Sequence, residues 1–182
     1  MKSPRCDRLL LRRWQPSDRE PFAELNADPE VTEFLAGPLS ISQSNLLAGK
    51  IEQHFDKHDF GLWAVEVLGE VSFAGFVGLF IPNFTSHFTP CIEIGWRLAR
   101  GAWGKGYATE GAKAVLQFGV EQLGINEIVS FTTIKNTRSR RVMEKIGLTH
   151  NPEDDFDHPN LPSNHPLLRH VLYRRGQSKV PE

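Results

Sequence analysis

The sequence predicts one α/β domain over residues 1–182, in which helices come first, a meander of strands follows, and strands then alternate with helices. Three observations support this prediction. The length of 182 residues suits one domain of ordinary size. The spacing of apolar residues changes from helical to strand-like near residue 60. A glycine-rich stretch at 101–106 then separates an apolar strand from a helical pattern.

The apolar pattern and the turn residues set the order of the elements. We expect strands at 9–14, 62–68, 73–81, 91–98, 128–134 and 170–174. We expect helices at 18–25, around 31–35, after a cap within 40–44, after Gly106 and from 136 to 147. The stretch at 151–166 is rich in Pro, Asp, His and Asn and is expected to be a loop.

The charge balance argues against a nucleic-acid or membrane-surface binder, because 21 Lys and Arg stand against 22 Asp and Glu and such binders need a basic excess. Residues 71–92 lack Asp, Glu, Lys and Arg, but Pro82 and Pro90 favour a buried hairpin over a membrane helix. Cys6 and Cys91 are too few for a disulfide scaffold, so we expect reduced thiols and a cytoplasmic location. The seven His lack ligand spacing, and we expect no metal site.

The most informative segment is WRLARGAWGKGYATEGA at 96–112, where glycines lie between a predicted strand and a predicted helix. Glycine allows the positive φ angles that turn backbone N–H groups toward a ligand, and the dipole of a helix N-terminus favours an anion. The segment therefore predicts a phosphate or pyrophosphate site. It is not a P-loop, because Gly106 follows Lys105, and not the dinucleotide motif, because Thr109 takes the third glycine position.

The stretch WGKGYATEGA at 103–112 resembles the acetyl-CoA motif of the GNAT superfamily of N-acetyltransferases, in particular its RimJ/RimL-type branch. Gly106 and Ala108 match the superfamily pattern Gln/Arg-x-x-Gly-x-Gly/Ala, while Trp103 holds the Gln/Arg position, as is common in that branch. The resemblance extends through residues 8–35, 61–67, 75–79, 92–98 and 136–148, nearly the whole chain. It implies a three-layer α/β (α+β) fold, with a mixed, mostly antiparallel twisted sheet of about six to seven strands, splayed at the fourth and fifth.

The resemblance also implies acetyl-CoA as cosubstrate. Main-chain N–H groups of the glycine turn would bind its pyrophosphate, and exposed backbone of the fourth strand would bind pantetheine. Asn136 would contact pantetheine or the departing group, or only cap a helix. Arg141 belongs to a basic cluster that would reach the 3′-phosphate or lie in solvent. The expected binding residues are Ile94, Trp96, Leu98, Trp103, Gly104, Lys105, Gly106, Tyr107, Ala108, Thr109, Asn136, Ser139 and Arg141.

Three residues are catalytic candidates: Glu93, Ser139 and Asp155. By resemblance, Ser139 could protonate the departing CoA thiolate, a task that many relatives give to Tyr, or it could be a surface serine. Glu93, on the strand before the glycine turn, could accept a proton through water or face solvent. Asp155 belongs to an acidic loop that could attract an ammonium group, and the choice of base among Asp155, Asp157 and His158 stays open. Cys91 as a covalent nucleophile is discounted, since nothing around it lowers a thiol pKa.

The predicted reaction is transfer of an acetyl group to a primary amine by direct attack in a ternary complex. The acceptor is either a protein N-terminal α-amine or a small-molecule amine. A non-catalytic acyl-CoA-binding domain is the alternative function. Neither nucleic acid nor membrane is an expected partner, and a homodimer is an expectation because members of the superfamily are often dimers.

Overall fold

Four α-helices pack against one open sheet in the computed structural model, which describes residues 3–175. The strands are β1 (Leu9–Arg12), β2 (Leu62–Val67), β3 (Val71–Phe80), β4 (Glu93–Leu98), β5 (Val129–Thr133), β6 (Leu148–His150), β7 (Phe156–Asp157) and β8 (Arg169–Arg175). The helices are α1 (Arg19–Ala27), α2 (Ile41–His58), α3 (Tyr107–Glu121) and α4 (Thr137–Lys145).

The sheet is mixed and mostly antiparallel, as the family resemblance implies. Its strands lie in the order β1-β2-β3-β4-β5-β8-β6, and β7 pairs with β8. Each described pairing is antiparallel except that of β4 with β5. In residues 3–175, β4 shares six register pairs with β3 but only one with β5, Glu93 with Val129. The sheet therefore splits between β4 and β5, and the predicted fold class is confirmed.

Helices cover both faces of the sheet and make three layers. Phe76 and Val77 are neighbours on β3 and therefore point to opposite faces. Phe22 of α1 packs on Phe76 with ring centroids 6.1 Å apart. On the other face α3 approaches so closely that a Cβ at Gly111 would lie 2.9 Å from a Val77 methyl group. This close approach anchors the first turns of α3 over β3 and β4.

Two apolar clusters fill the interior. The main core lies between the sheet and its helices, and its largest fully buried members include Trp63, Phe22, Phe55, Leu11 and Ile94. A smaller cluster lies beside β5 and β8 and consists of Phe88, Val129, Phe156 and Leu172. Within residues 3–175, none of the helices has the length and apolar character needed to cross a bilayer.

Two parts of the predicted element order are wrong. The helix expected around 31–35 is a series of turns, in which the Thr32 N–H and hydroxyl both donate to the Asp28 carbonyl. Pro29 and the pair Gly37-Pro38 enclose too few residues for a regular helix. The segment 151–166, expected to be a loop, contains β7, and β6 precedes it. Strands of two and three residues are too short to show an apolar period.

Candidate active site

A cleft of about 580 Å³ opens where β4 and β5 separate. Its walls come from the turns at 28–35, from β3, β4 and β5, from the glycine turn before α3 and from one side of α4. Aromatic side chains from five of these elements line it, namely Phe34, Phe76, Phe80, Trp96, Trp103 and Phe131. A cleft of this volume can hold the arm of an extended cofactor and a small acceptor group together.

The edge of β4 that faces β5 supplies backbone polar groups to the cleft. The Ile92 carbonyl accepts from the Val129 N–H at 2.9 Å, and the Ile94 carbonyl accepts from Ser130 Oγ at 2.8 Å. Backbone groups alternate in direction along a strand, and the register of β4 on β3 is unbroken. Trp96 therefore directs its N–H and carbonyl toward the β5 side, as Ile92 and Ile94 direct their carbonyls. Beyond the Glu93–Val129 pair, the described part of β5 gives this edge no strand partner. The edge can therefore bond an extended, amide-containing ligand.

The glycine turn ends at the N-terminus of α3. Gly104 and Gly106 have φ angles of +74° and +83°, and Gly106 is the N-cap of α3 without a side-chain capping bond. The first backbone N–H groups of a helix have no intrahelical acceptor and, with the helix dipole, attract an anion. Of the six predicted donors, five line the cleft: Gly104, Gly106, Tyr107, Ala108 and Thr109.

Lys105 is the sixth predicted donor, and it is not among the residues that line the cleft. Its ammonium group pairs with Glu70 at 3.3 Å, and its carbonyl accepts from Arg8 Nη1 at 3.1 Å. The Tyr107 hydroxyl also donates to Glu70, at 3.0 Å. Glu70 therefore binds the Lys105 and Tyr107 side chains on the side of the turn away from the cleft. The backbone of the turn lines the side that faces the cleft.

Asn136 begins α4 and faces the cleft at the same time. Its Oδ1 accepts from the Ser139 N–H at 3.2 Å, and its Nδ2 donates to Thr132 Oγ1 at 3.0 Å. The predicted role as a helix cap is thus present in the structure. Ser139 and Arg141 also line the cleft. Within residues 3–175, the Ser139 hydroxyl has no hydrogen-bond partner and Arg141 has no ion-pair partner.

Neither tyrosine of the chain presents its hydroxyl to the cleft. The Tyr107 hydroxyl is bonded to Glu70, and the Tyr173 hydroxyl donates to Glu144 at 2.9 Å and accepts from Arg140. Ser139, half-buried on the inner side of α4, is therefore the better-placed hydroxyl for a group leaving along the cleft.

Of the candidate bases, Glu93 alone lies in the wall of the cleft. Burial raises the pKa of its carboxyl to about 8, and no hydrogen-bond or ion-pair partner for that carboxyl occurs in the described chain. Asp155 instead contacts His150 Nε2 at 2.7 Å and accepts from the Leu172 N–H at 3.4 Å. Asp157 pairs with Arg169 at 3.3 Å. His158 packs against Phe84, and burial lowers its pKa. The structure does not bring these three alternatives into the cleft.

Two further predictions concern thiols and metals. Burial, together with Glu93 and Glu127, raises the pKa of Cys91 to about 11, so the thiolate is disfavoured. Cys91 also does not line the cleft. Among the side chains of residues 3–175, no group of three or more His, Cys, Asp or Glu is placed to hold a metal ion.

Several cleft residues were not predicted from the sequence. They include Glu30, Val31, Phe34 and Leu35 in the turns after α1, Phe76 and Phe80 on β3, and Arg97 on β4. The signal for Arg97 was available, because it lies four residues after Glu93 and shares its face of the strand. The turn residues carried no such signal, since their apolar spacing also fits a buried helix.

Known proteins resemble this chain in sequence and in fold. Residues 8–149 match the family model described as Acetyltransferase (GNAT) domain. The chain is 31% identical over 142 residues to the FsC-acetyl coenzyme A-N(2)-transacetylase of Aspergillus fumigatus, an alignment that covers 72% of this chain and only 58% of the fungal protein. It is 30% identical over 143 residues to the uncharacterized protein YkkB of Bacillus subtilis, covering 78% of this chain and 82% of YkkB.

A solved structure extends this comparison to nearly the whole chain. The crystal structure of a GNAT-family acetyltransferase from Bacillus anthracis has a TM-score of 0.76 and 26% identity, and the match covers 94% of this chain and 96% of that one. The likeness therefore includes the sheet and the helices that flank it.

Proposed function

The chain belongs to the acetyltransferase (GNAT) domain family, and we propose that it transfers the acetyl group of acetyl-CoA to a primary amine by direct attack in a ternary complex. The observation that carries the proposal is the split of the sheet after the Glu93–Val129 pair, with the N-terminus of α3 at its open end. This arrangement gives one elongated ligand a backbone edge to lie along and a site for its phosphates.

The donor fits the residues present. Acetyl-CoA supplies an activated thioester carbonyl and a thiol leaving group. The N–H groups of Gly106, Tyr107, Ala108 and Thr109 are the proposed pyrophosphate donors. Trp96 is the proposed backbone partner of pantetheine on β4. Arg141 and Lys145 line the cleft as exposed cations without ion-pair partners in residues 3–175 and are available to the 3′-phosphate.

Glu93 is the proposed base. A protein α-amino group has an ordinary pKa of about 8, and the pKa of Glu93 is about 8. The two groups therefore hold a proton with nearly equal affinity, which makes transfer from the amine to the carboxylate close to thermoneutral. A lysine side chain, with a pKa of about 10.4, would give up its proton less readily.

The remaining steps use a backbone donor and a hydroxyl. A β4 N–H directed at the thioester carbonyl would stabilise the negative charge that develops on its oxygen. The new bond joins the amine nitrogen to the acetyl carbon, and the carbon–sulfur bond breaks. The ammonium form of the amine gives its first proton to Glu93, directly or through water, before the attack. The nitrogen loses a second proton to water as the intermediate collapses, while the Ser139 hydroxyl gives its proton to the sulfur and regains one from water, so the protons balance.

A peptide α-amine is the acceptor that we favour over a polyamine. The acidic loop that could have attracted a polycation is largely engaged within the protein, since Asp154 pairs with Arg174, Asp157 pairs with Arg169 and Asp155 contacts His150. The RimJ/RimL-type branch, the single domain over residues 1–182, a cytoplasmic location and a homodimer belong to the proposal and rest on the sequence.

The proposal is tested by measuring release of free CoA thiol from acetyl-CoA with a panel of N-terminal peptides and small amines. We expect release that depends on the amine, with α-amines preferred. Stabilisation of the fold by CoA without release for any amine would instead identify a non-catalytic acyl-CoA-binding domain.

A further inference from the structure

Arg97 is a half-buried cation of the cleft wall without an anionic partner in residues 3–175. Its Nη1 donates to the neutral Asn26 Oδ1, and its guanidinium lies over the Phe76 ring, 5.4 Å from the centroid. Asn26 is itself fully buried and donates through Nδ2 to Ser44 Oγ at 2.8 Å. The remaining Arg97 donors have no partner from the described chain, and Arg97 lines the cleft.

Two other half-buried arginines of this protein pair with carboxylates. Arg12 pairs with Asp18 and Glu66, and Arg174 pairs with Asp154 and Glu127. A buried charge is costly unless it is paired, and a guanidinium presents five N–H donors in a planar fork that suits a carboxylate. Burial lowers the pKa of Arg97 to about 10, so the side chain still carries its charge at neutral pH.

Arg97 and Glu93 lie on the same face of β4, toward α1 and away from α3. Two strand residues four positions apart have Cα atoms about 13 Å from each other, at 3.3 Å per residue. Both side chains project into the same cleft. An acceptor whose amine reaches Glu93 and whose remainder follows this face of β4 passes Arg97.

We propose that Arg97 binds a carboxylate of the acceptor, so that the preferred substrates are primary amines that also carry a carboxylate. This inference rests on the proposed acetyl transfer. The carboxylate belongs either to the main chain of a free amino acid or short peptide, or to the acidic side chain of a longer peptide. A polyamine places a second cation near Arg97 and is a poor substrate for that reason.

The test compares acceptors that differ only in one charge. One pair is Asp-Ala-Ala-amide against Asn-Ala-Ala-amide, and the other is Ala-Ala against Ala-Ala-amide. Each is assayed by release of CoA thiol from acetyl-CoA with the wild-type chain and with Arg97→Lys, Arg97→Gln and Arg13→Gln. Arg13 is a matched control, because it also stacks over an aromatic ring, that of Phe55, but lies outside the cleft.

For the wild type we expect kcat/KM at least tenfold higher for the carboxylate member of one pair, and the pair that shows it identifies the carboxylate. Arg97→Gln reduces that ratio of kcat/KM values to below twofold and leaves the KM for acetyl-CoA unchanged. Arg97→Lys retains part of the ratio, and Arg13→Gln retains all of it. A purely structural role through Asn26 would lower activity on both members equally.

The outcomes separate the two claims. Equal kcat/KM for both members of both pairs, with turnover present, overturns the assignment of Arg97 and leaves the proposed acetyl transfer intact. Absence of turnover with every acceptor contradicts the proposed function and the inference that rests on it. The wild-type ratios decide the question even if Arg97→Gln fails to fold.

Discussion

Glu93 and Val129 form the single register pair between β4 and β5 in residues 3–175, and the two strands diverge beyond it. The Ser130 hydroxyl donates to the Ile94 carbonyl. In a regular parallel ladder, a backbone N–H of β5 would donate to that carbonyl instead. The carboxyl of Glu93 therefore lies at the closed end of the cleft, and the free backbone edge of β4 leads from it to the glycine turn.

Gly106→Glu is expected to reduce affinity for acetyl-CoA at least tenfold, because the new carboxylate would repel the pyrophosphate at the first turn of α3. Gly124→Glu is the matched control. Gly106 and Gly124 have φ angles of +83° and +66°, so both substitutions carry a strain of about 1–2 kcal/mol. Isothermal titration calorimetry measures the affinity, and equal losses in both variants would show that strain alone is responsible.

Ser139→Ala is expected to lower kcat about tenfold or more with little change in the KM for acetyl-CoA, because the hydroxyl acts when the thiolate leaves. Thr137→Ala removes a hydroxyl from the same helical turn at an exposed position that does not line the cleft. Steady-state kinetics should show no change for Thr137→Ala. An unchanged kcat for Ser139→Ala would remove Ser139 from the mechanism.

Glu93→Gln tests the base through the pH dependence of the rate and of stability. With a primary amine whose own pKa is about 10.4 as the acceptor, the wild-type kcat/KM should show an ionisation near 8, and Glu93→Gln should lose that step and about 10²-fold in rate. A pH profile that keeps the step near 8 in both proteins would assign it to another group of the protein.

The same carboxyl predicts a stability effect with a defined sign. Folding raises its pKa from 4.5 to about 8, so between these pH values the folded chain holds a proton that the unfolded chain has lost. The free energy of unfolding therefore falls as pH rises across that window. Thermal melts should show a weaker fall for Glu93→Gln.

Asp155→Asn is expected to leave kcat/KM within twofold of the wild type. Asp155 contacts His150 and the Leu172 backbone outside the cleft, so its loss of charge weakens β6–β8 packing by on the order of 1 kcal/mol. Chemical denaturation measures this change. A large loss of kcat/KM at unchanged stability would restore Asp155 as a catalytic residue.

Local sequence determines some of these features, and the tertiary fold determines others. The glycine turn and the cap at Asn136 were predictable, because φ preference and capping depend on a few neighbouring residues. The turns at 28–36 were not, since Val31, Phe34 and Leu35 have helical spacing but line the cleft. The choice between Glu93 and Asp155 depends on which of the two side chains the tertiary fold brings into the cleft. A binding role for Arg97 could not be predicted from the sequence, because only the tertiary structure shows that no carboxylate pairs with it in residues 3–175.

A crystal structure of the chain with CoA tests the central claim most directly. The account predicts pyrophosphate oxygens within about 3 Å of the backbone nitrogens of the glycine turn and pantetheine between β4 and β5, bonded to the Trp96 backbone. It also predicts the sulfur nearer to Ser139 than to either tyrosine hydroxyl. CoA bound outside the split between β4 and β5 would contradict the account.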